Sequence, residues 1–215
     1  TTVASYGGTN ALYTFRLEPP LAWMALTTDY RIYQDLEAPT LVANLYHAIT
    51  TNTLISALLG DHPTRLSIIQ FAETDLNFIS RLLEDEGIFY FFQQGTGTPP
   101  LVLGDSPSSY VTAANSPFTY YGNLAPNIPS GTECLRTFHK STRESTRTSQ
   151  IKSYDFTKPA TDTTGKKSGA AGLGEQYHFG SSGSTSTENE ALAQVRSERF
   201  GTERATIVGR ANAPD

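Results

Sequence analysis

The residues that could carry chemistry are few, and they are scattered along the chain. The four histidines, His47, His62, His139 and His178, show neither the H-x-x-x-H nor the H-E-x-x-H spacing that sets two imidazoles beside one metal ion. Cys134 is the single cysteine, so an internal disulfide is impossible. The sequence therefore predicts no metal site and no cofactor, with histidines that act as ordinary hydrogen-bonding side chains.

Carboxylates are dense at one place only, where Glu84, Asp85 and Glu86 follow one another. Glycoside hydrolysis needs two carboxylates that face a common groove, and nothing in the pattern indicates one. Glu73 and Asp75 lie at the start of a predicted helix, where acidic side chains favour the positive end of the helix dipole. No G-x-S-x-G motif offers an activated serine. We therefore expect a protein that is not an enzyme, and a carbohydrate-active enzyme is the weakest alternative.

Composition and charge exclude further classes of function. The net charge of −5 argues against broad nucleic-acid binding, which needs a positive footprint. No apolar run approaches the roughly 18 residues of a membrane helix, so stable membrane insertion is not expected. No signal peptide is recognised, and the chain lacks a starting Met. A protein made in the cytoplasm fits the single cysteine, and if it leaves the cell, it does so by a route that reads no N-terminal signal. We expect the chain to be a fragment of a longer protein.

Three helices must position these residues, since apolar side chains recur at helical spacing over 38–48, 75–86 and 188–200. Thr74 is placed as the N-cap of the second helix, and Gly87 follows that helix as the expected left-handed residue. Thr187 and Glu190 have the spacing of a capping box before the third helix.

Strands account for most of the remaining pattern. Alternating apolar residues predict a half-buried strand over 13–17, and the run 88–92 predicts a buried strand that forms a hairpin with 101–103. The Thr-, Gly- and Lys-rich segment 161–174 is typical of a mobile loop. The further predicted strands are 30–33, 54–59, 66–71, 135–139, 148–156 and 205–211. The fold class predicted is α+β and strand-rich.

The predicted core lies around the second helix and the strand after it. Its members should be buried, and they are Leu76, Ile79, Leu82, Leu83, Phe89 and Phe91. In the third helix, Leu192 and Val195 should face inward.

The acidic run conflicts with its own helix. Glu84, Asp85 and Glu86 lie at the negative end of the helix dipole, where each acid is unfavourable by a few tenths to about 1 kcal/mol. Arg81 can reach Asp85 at i+4 and offset part of that cost. Two explanations stand side by side: a solvated helix end, or a surface on which the acids meet basic groups of another segment or subunit.

The segment Q-F-A-E-T-D-L-N-F-I-S-R-L-L-E-D-E-G-I-F-Y-F-F at 70–92 closely resembles the signature of the VgrG family of type VI secretion spike proteins. More than a dozen positions agree in order with that signature. R-I-Y-Q at 31–34, L-V-L-G-D at 101–105 and S-Y-D-F-T-K-P at 153–159 are similar to further family motifs.

The resemblance implies a fold and a function. It implies barrel-like domains similar to the hub of contractile phage tails, with a first hub part over 1–110 and a second over 111–215 that leads toward an OB-type domain and a needle. It implies a structural hub at the tip of the Hcp tube that delivers the needle and effectors. Its partners would be two more copies in a homotrimer, the Hcp tube, and effector or adaptor proteins. A hub of a contractile phage or phage-like tail is the main alternative, because the same residues would serve both assemblies.

Overall fold

In the computed structural model, residues 2–5, 11–95, 97–111, 119–121 and 134–211 are described. Strands outnumber helices in that part of the chain, which confirms the strand-rich α+β class. The chain divides into two compact units, the first comprising Thr1–Glu84 and Ile88–Asp105 and the second Asp85–Gly87 and Ser106–Asp215. Each unit has its own sheets and its own buried residues.

The first unit contains seven strands in its described residues. Its strands are β1 (Thr2–Ser5), β2 (Ala11–Thr14), β3 (Thr28–Leu36), β4 (Leu54–Ala57), β5 (Arg65–Thr74), β6 (Phe89–Phe92) and β7 (Leu101–Gly104). β1 pairs with β2 and β3 pairs with β5, both antiparallel. β7 lies between β4, which is parallel to it, and β6, which is antiparallel. The predicted hairpin of β6 and β7 is therefore confirmed.

Two α-helices and a 3₁₀ helix lie along the chain between these strands. The 3₁₀ helix is Pro20–Leu26, α1 is Ala38–Ile49 and α2 is Asp75–Glu86. Pro39 lies in the first turn of α1, where the missing N–H of proline removes no helical hydrogen bond. Both α-helices lie where the apolar spacing predicts them.

The core of the first unit is apolar and centres on α1 and α2. Ile79, Leu82 and Leu83 are buried, as predicted, and burial of each such side chain contributes about 1.5–3 kcal/mol. Leu76, Phe89 and Phe91 are only half-buried. Phe78 is fully buried and was not predicted, because α2 presents a wider face to the core than the four-residue stripe suggests. The other buried members are Leu21, Met24, Ala38, Leu41, Val42, Tyr46, Ile68, Ile88, Leu101 and Leu103.

The second unit contains α3 (Ser186–Glu203) and two three-stranded sheets in its described residues. Its strands are β8 (Thr119–Tyr120), β9 (Cys134–Thr142), β10 (Thr146–Lys152), β11 (Gly165–Ser168), β12 (Leu173–Phe179) and β13 (Ala205–Ala211). β9 lies between β8 and β13, and β10 lies between β11 and β12. The third helix and the closing strand were predicted at these places.

A polar cluster forms much of the second unit's interior. Asn189 of α3 is fully buried and donates from Nδ2 to Ser153 Oγ at 2.8 Å and to the carbonyl oxygen of Thr163 at 2.6 Å. Ser181 Oγ lies 2.6 Å from Asn189 Oδ1 and completes the amide's hydrogen bonds. Buried polar groups need such partners to offset the loss of water.

The inner face of α3 differs from the prediction. Leu192 and Val195 are half-buried, whereas Asn189, Ala193 and Ser197 are buried. The N-cap is Thr185, whose Oγ1 accepts from Glu188 N at 3.2 Å, so the predicted pair Thr187 and Glu190 was wrong by two residues.

Three predicted strand and loop boundaries also change. Thr14 ends β2, and Phe15 and Leu17 lie outside it and are exposed, so no half-buried strand spans 13–17. The strand predicted over 148–156 ends at Lys152. The segment 161–174 was predicted as a loop but contains β11 and the start of β12, because both strands pair with β10.

Candidate functional site

The start of α2 is fixed by side chains of the segment that resembles the spike signature. Thr74 Oγ1 accepts a hydrogen bond from Asn77 N at 3.2 Å, which confirms Thr74 as the N-cap. Glu73 Oε2 accepts from Asn77 Nδ2 at 3.0 Å. Because β5 ends where α2 begins, these contacts hold the strand-to-helix corner in one geometry.

Arg81 connects α2 back to β5. Its Nη2 lies 2.6 Å from Glu73 Oε1 and donates to the carbonyl oxygen of Ile69 at 3.1 Å. The guanidinium carbon lies 5.5 Å from the centroid of the Phe78 ring, within the range of a cation–π contact. The partner predicted for Arg81 was Asp85, and the structure gives Glu73 instead, because the corner brings that carboxylate beside the helix.

Buried polar residues join two separate motifs. Gln70 Nε2 donates to Asp75 Oδ1 at 2.7 Å, and both side chains are buried. Arg31 Nη1 lies 3.3 Å from the same oxygen, and Arg31 Nη2 lies 2.6 Å from Asp29 Oδ2. The motif residues at 31 and at 70–75 therefore meet in one network that ties β3, β5 and α2 together. In the structure these side chains hold the three elements in position.

The acidic run ends α2. Glu84 is exposed, and Asp85 and Glu86 are half-buried. Gly87 has φ +71°, the left-handed conformation predicted for it, and Ile88 N donates to the carbonyl oxygen of Leu83 at 2.8 Å.

The end of α2 also has neighbours within the second unit. A Cβ on Gly87 would lie 3.0 Å from Val195 Cγ1 of α3. Burial lowers the pKa of His178, and the charge of Arg196 lowers it further, while the charge of Asp85 acts in the opposite direction. Asp85 therefore acts on side chains of its own unit.

Asp105 closes a loop of the first unit. Its Oδ2 accepts from Gly60 N at 2.7 Å and its Oδ1 from Leu59 N at 2.9 Å, and Oδ2 lies 3.5 Å from His62 Nε2. Burial acts to raise the pKa of Asp105, but the hydrogen bonds from Gly60, Leu59 and His62 outweigh it and hold the pKa below its usual range. The acidic turn after β7 thus anchors the segment that follows β4.

The titratable residues form no cluster suited to metal binding in the described part of the chain. There, no three side chains of His, Cys, Asp or Glu come close enough to share a metal ion. Cys134 is buried and forms no disulfide within the chain. No helix within the described ranges has the length and apolarity to cross a membrane.

Sequence reasoning missed two exposed apolar surfaces. On the outer face of β3 and β5, Tyr30, Ile32, Ile69 and Phe71 are each more than half exposed. On β9 and β13, Phe138, Ile207 and Val208 are also more than half exposed. The signal was present in β3, where apolar residues occur on both alternating faces of the strand. Only the positions of the neighbouring elements decide which face is covered.

Comparison with known proteins gives a consistent relationship. The family described as phage tail baseplate hub (GPD) matches residues 1–215. The type VI secretion system spike protein VgrG5 of Pseudomonas aeruginosa is 32 % identical over 153 residues, covering 69 % of this chain and 19 % of that protein. The actin cross-linking toxin VgrG1 of Vibrio cholerae is 25 % identical over 213 residues, covering 97 % of this chain and 19 % of the toxin. The chain thus spans about a fifth of the length of these curated relatives.

A solved structure shares the fold. The E. coli c3393 protein superposes with a TM-score of 0.59 at 20 % identity, over 92 % of this chain and 41 % of that one. It is described as a component of the type VI secretion system with structural similarity to the T4 bacteriophage tail proteins gp27 and gp5. The family match over residues 1–215 shows that the chain belongs to the phage tail baseplate hub (GPD) family.

Proposed function

We propose that this chain is part of the structural hub of a type VI secretion spike. The observation that carries the proposal is the 32 % identity to a type VI spike protein over 69 % of the chain. The hub role would be mechanical: the chain would form part of a rigid collar that carries the needle and effectors at the tip of the Hcp tube.

The contacts of the signature residues support a mechanical role over a catalytic one. Arg81 and Glu73 form an ion pair, and Asp75 accepts from Gln70. Groups committed to such pairs stabilise a strand-to-helix corner, whereas a catalytic carboxylate must be placed toward a substrate. We therefore propose that the chain itself catalyses no reaction.

The partners proposed are two further copies, the Hcp tube, and an effector or adaptor protein. A closed ring of three copies uses a heterologous interface, in which two different surfaces of each subunit meet. The route proposed is synthesis in the bacterial cytoplasm followed by export through the type VI machine.

A hub of a contractile phage or phage-like tail is the second candidate, favoured by the phage tail baseplate hub description of the family. The genes beside the chain's own gene separate the two candidates. Hcp and sheath genes support the secretion spike, and capsid genes support the phage tail.

Release of Hcp into the culture medium tests the hub role directly. Deletion of the gene should abolish Hcp release, because a tube that lacks its tip cannot be expelled from the cell. Reintroduction of the intact gene should restore the release. Assays of sheath assembly in the same cells serve as the control for general damage. Hcp release that continues at the wild-type level in the deletion strain, with no second spike gene present, would contradict the proposal.

We also propose that Glu84, Asp85 and Glu86 contribute to an interface between subunits. The proposal rests on three adjacent acids at the negative end of a helix, with Glu84 exposed. Basic groups of a neighbouring copy would make favourable contacts with this acidic surface.

Charge reversal tests the interface. Glu84→Lys with Asp85→Lys should weaken the trimer of the longer protein that contains this chain, and more so at low salt, where charges are less screened. The matched control is Asp61→Lys with Glu198→Lys, which makes the same change of charge at two exposed acids. If the trimer of the double variant dissociates no more readily than that of the control, the acids form a solvated helix end and not part of the interface.

A further inference from the structure

Strands β3 and β5 form a two-stranded antiparallel ribbon with an uncharged apolar face, called here the first ribbon. Tyr30 is paired with Phe71 and Ile32 with Ile69, so these four side chains form one patch. Each is between 52 and 72 % exposed. The rings of Tyr30 and Phe71 meet edge to face with centroids 5.2 Å apart. Such packing keeps the two aromatic side chains in place while their outer surfaces face solvent.

Strands β9 and β13 form a second antiparallel ribbon, called here the second ribbon. Phe138 is paired with Gly209 and Lys140 with Ile207, so Phe138, Lys140 and Ile207 share one face. Phe138 is 54 % and Ile207 58 % exposed. Every residue of β13 is exposed, which leaves this ribbon with little cover of its own.

The two ribbons are unlike most solvent-facing strands. Exposed apolar strands invite association with other chains. Proteins usually limit contiguous apolar surface unless it serves as an interaction site. Each ribbon therefore has the properties of a surface that another chain covers.

Charge differs between the two ribbons in a complementary way. Strands β3 and β5 contain three acids, Asp29, Asp35 and Glu73, and two arginines, and Asp35 and Glu37 are exposed at the end of β3. Strands β9 and β13 contain three basic residues, Arg136, Lys140 and Arg210, and no acid. Arg136 and Lys140 alternate with the same parity as Phe138, so they flank its apolar face. A weakly acidic ribbon with an apolar patch thus matches a basic ribbon with an apolar patch.

We infer that the second ribbon of one copy packs, through its Phe138 and Ile207 face, onto the first ribbon of the next copy. The contact is head to tail, because the two ribbons are different surfaces of the same chain. This inference adds to the ring proposed above by naming the two surfaces that meet. It rests on the proposed function, in which the chain assembles with copies of itself. Lys140 would approach the acidic rim that contains Asp35 and Glu37.

The area of the ribbons sets the strength that is expected of the contact between them. A face nine residues long and two strands wide covers about 300 Å². A stable interface buries about 800 Å² on each partner. The ribbon contact is therefore expected to be weak between isolated chains and to act together with other contacts in the closed ring, so a trapping method is needed to detect it.

Cysteine cross-linking of mixed variants traps a weak contact and reports its direction. One preparation carries Ile32→Cys, the other Ile207→Cys, and the mixture is treated with a short thiol-reactive cross-linker. Native Cys134 is fully buried, and the unsubstituted chain measures its background. The matched control replaces Ile207→Cys by Val208→Cys, since Val208 has similar exposure but lies on the opposite face of β13.

The mixture of Ile32→Cys and Ile207→Cys should give several-fold more cross-linked dimer than the mixture of Ile32→Cys and Val208→Cys. Each variant alone should give little dimer, because a head-to-tail contact never brings two copies of Ile32 together. Added salt should reduce the yield. Equal yields from the two mixtures, or a dimer formed mainly by one variant alone, would overturn the inference. Since cross-linking does not depend on secretion, a loss of Hcp release and a loss of the ribbon contact are distinguishable results.

Discussion

Arg81 and Glu73 form an ion pair across the corner between β5 and α2, with Arg81 Nη2 2.6 Å from Glu73 Oε1. The arginine lies on the helix and the carboxylate on the strand, so the pair opposes separation of the two elements. Arg81 also donates to the carbonyl oxygen of Ile69 in β5. This corner lies inside the segment that is most similar to the spike signature.

The pair should show measurable coupling in a double-mutant cycle. Because Arg81 is 44 % exposed, solvent screening limits the coupling between Arg81→Ala and Glu73→Ala to about 0.5–1 kcal/mol in chemical denaturation. The same cycle between Arg81→Ala and Asp85→Ala should give a smaller coupling. Equal coupling energies in the two cycles would mean that Arg81 does not interact preferentially with Glu73 in solution.

Leu82→Ala should lower the free energy of unfolding of the first unit by about 2–5 kcal/mol, because the fully buried side chain leaves a cavity. Leu66→Ala is the matched control, since Leu66 is 70 % exposed and its loss should cost less than about 0.5 kcal/mol. Urea denaturation monitored by fluorescence measures both. Similar losses for the two variants would show that the inner face of α2 is wrongly placed.

Two glycines of the second unit should respond to alanine in opposite directions. A Cβ on Gly165 of β11 would lie 2.2 Å from the carbonyl carbon of Asn189, against backbone that cannot move aside. Gly165→Ala should therefore lower the melting temperature strongly, whereas Gly201→Ala, with open space in α3, should stabilise by roughly 0.5–1 kcal/mol through helix propensity. A Gly165→Ala protein as stable as the wild type would contradict the packing of β11 on α3.

These positions show which features of the fold a local sequence pattern can predict. The bounds of α1 and α2 could be predicted to within one residue, because the apolar spacing and, for α2, the caps at Thr74 and Gly87 depend on adjacent residues. The prediction for α3 was two residues short at its start and three at its end. Strand β11 could not, because its Thr-, Gly- and Lys-rich segment becomes a strand only by pairing with β10 and by passing α3 at Gly165. Asn189 likewise has no apolar signal, and its burial depends on partners that lie 36 and 26 residues away.

The exposed ribbons could not be predicted from the sequence for the same reason. The sequence of β3 shows apolar residues on both faces, but the uncovered face is decided by the elements that pack on the other side. The acids Glu84, Asp85 and Glu86 were noticed from local rules alone, and their role at an interface stays a prediction.

Stability should fall in acid because of Asp105. Its pKa is lowered in the folded protein from the ordinary value of 3.8. The carboxylate therefore contributes stability above the unfolded pKa, and the contribution is lost as pH falls through the folded pKa. Wild type and Asp105→Asn should differ in unfolding free energy at neutral pH, and the difference should shrink as the pH drops below 3.8. A difference that stays constant from neutral pH to pH 3 would exclude this titration as the cause.

The mass of the longer protein that contains this chain, measured in solution by multi-angle light scattering, tests the central claim most directly. A hub that closes into a ring of three copies predicts three times the mass of one chain at micromolar concentration. A protein that remains at the mass of one chain under those conditions would contradict the assignment of this chain to a trimeric spike hub.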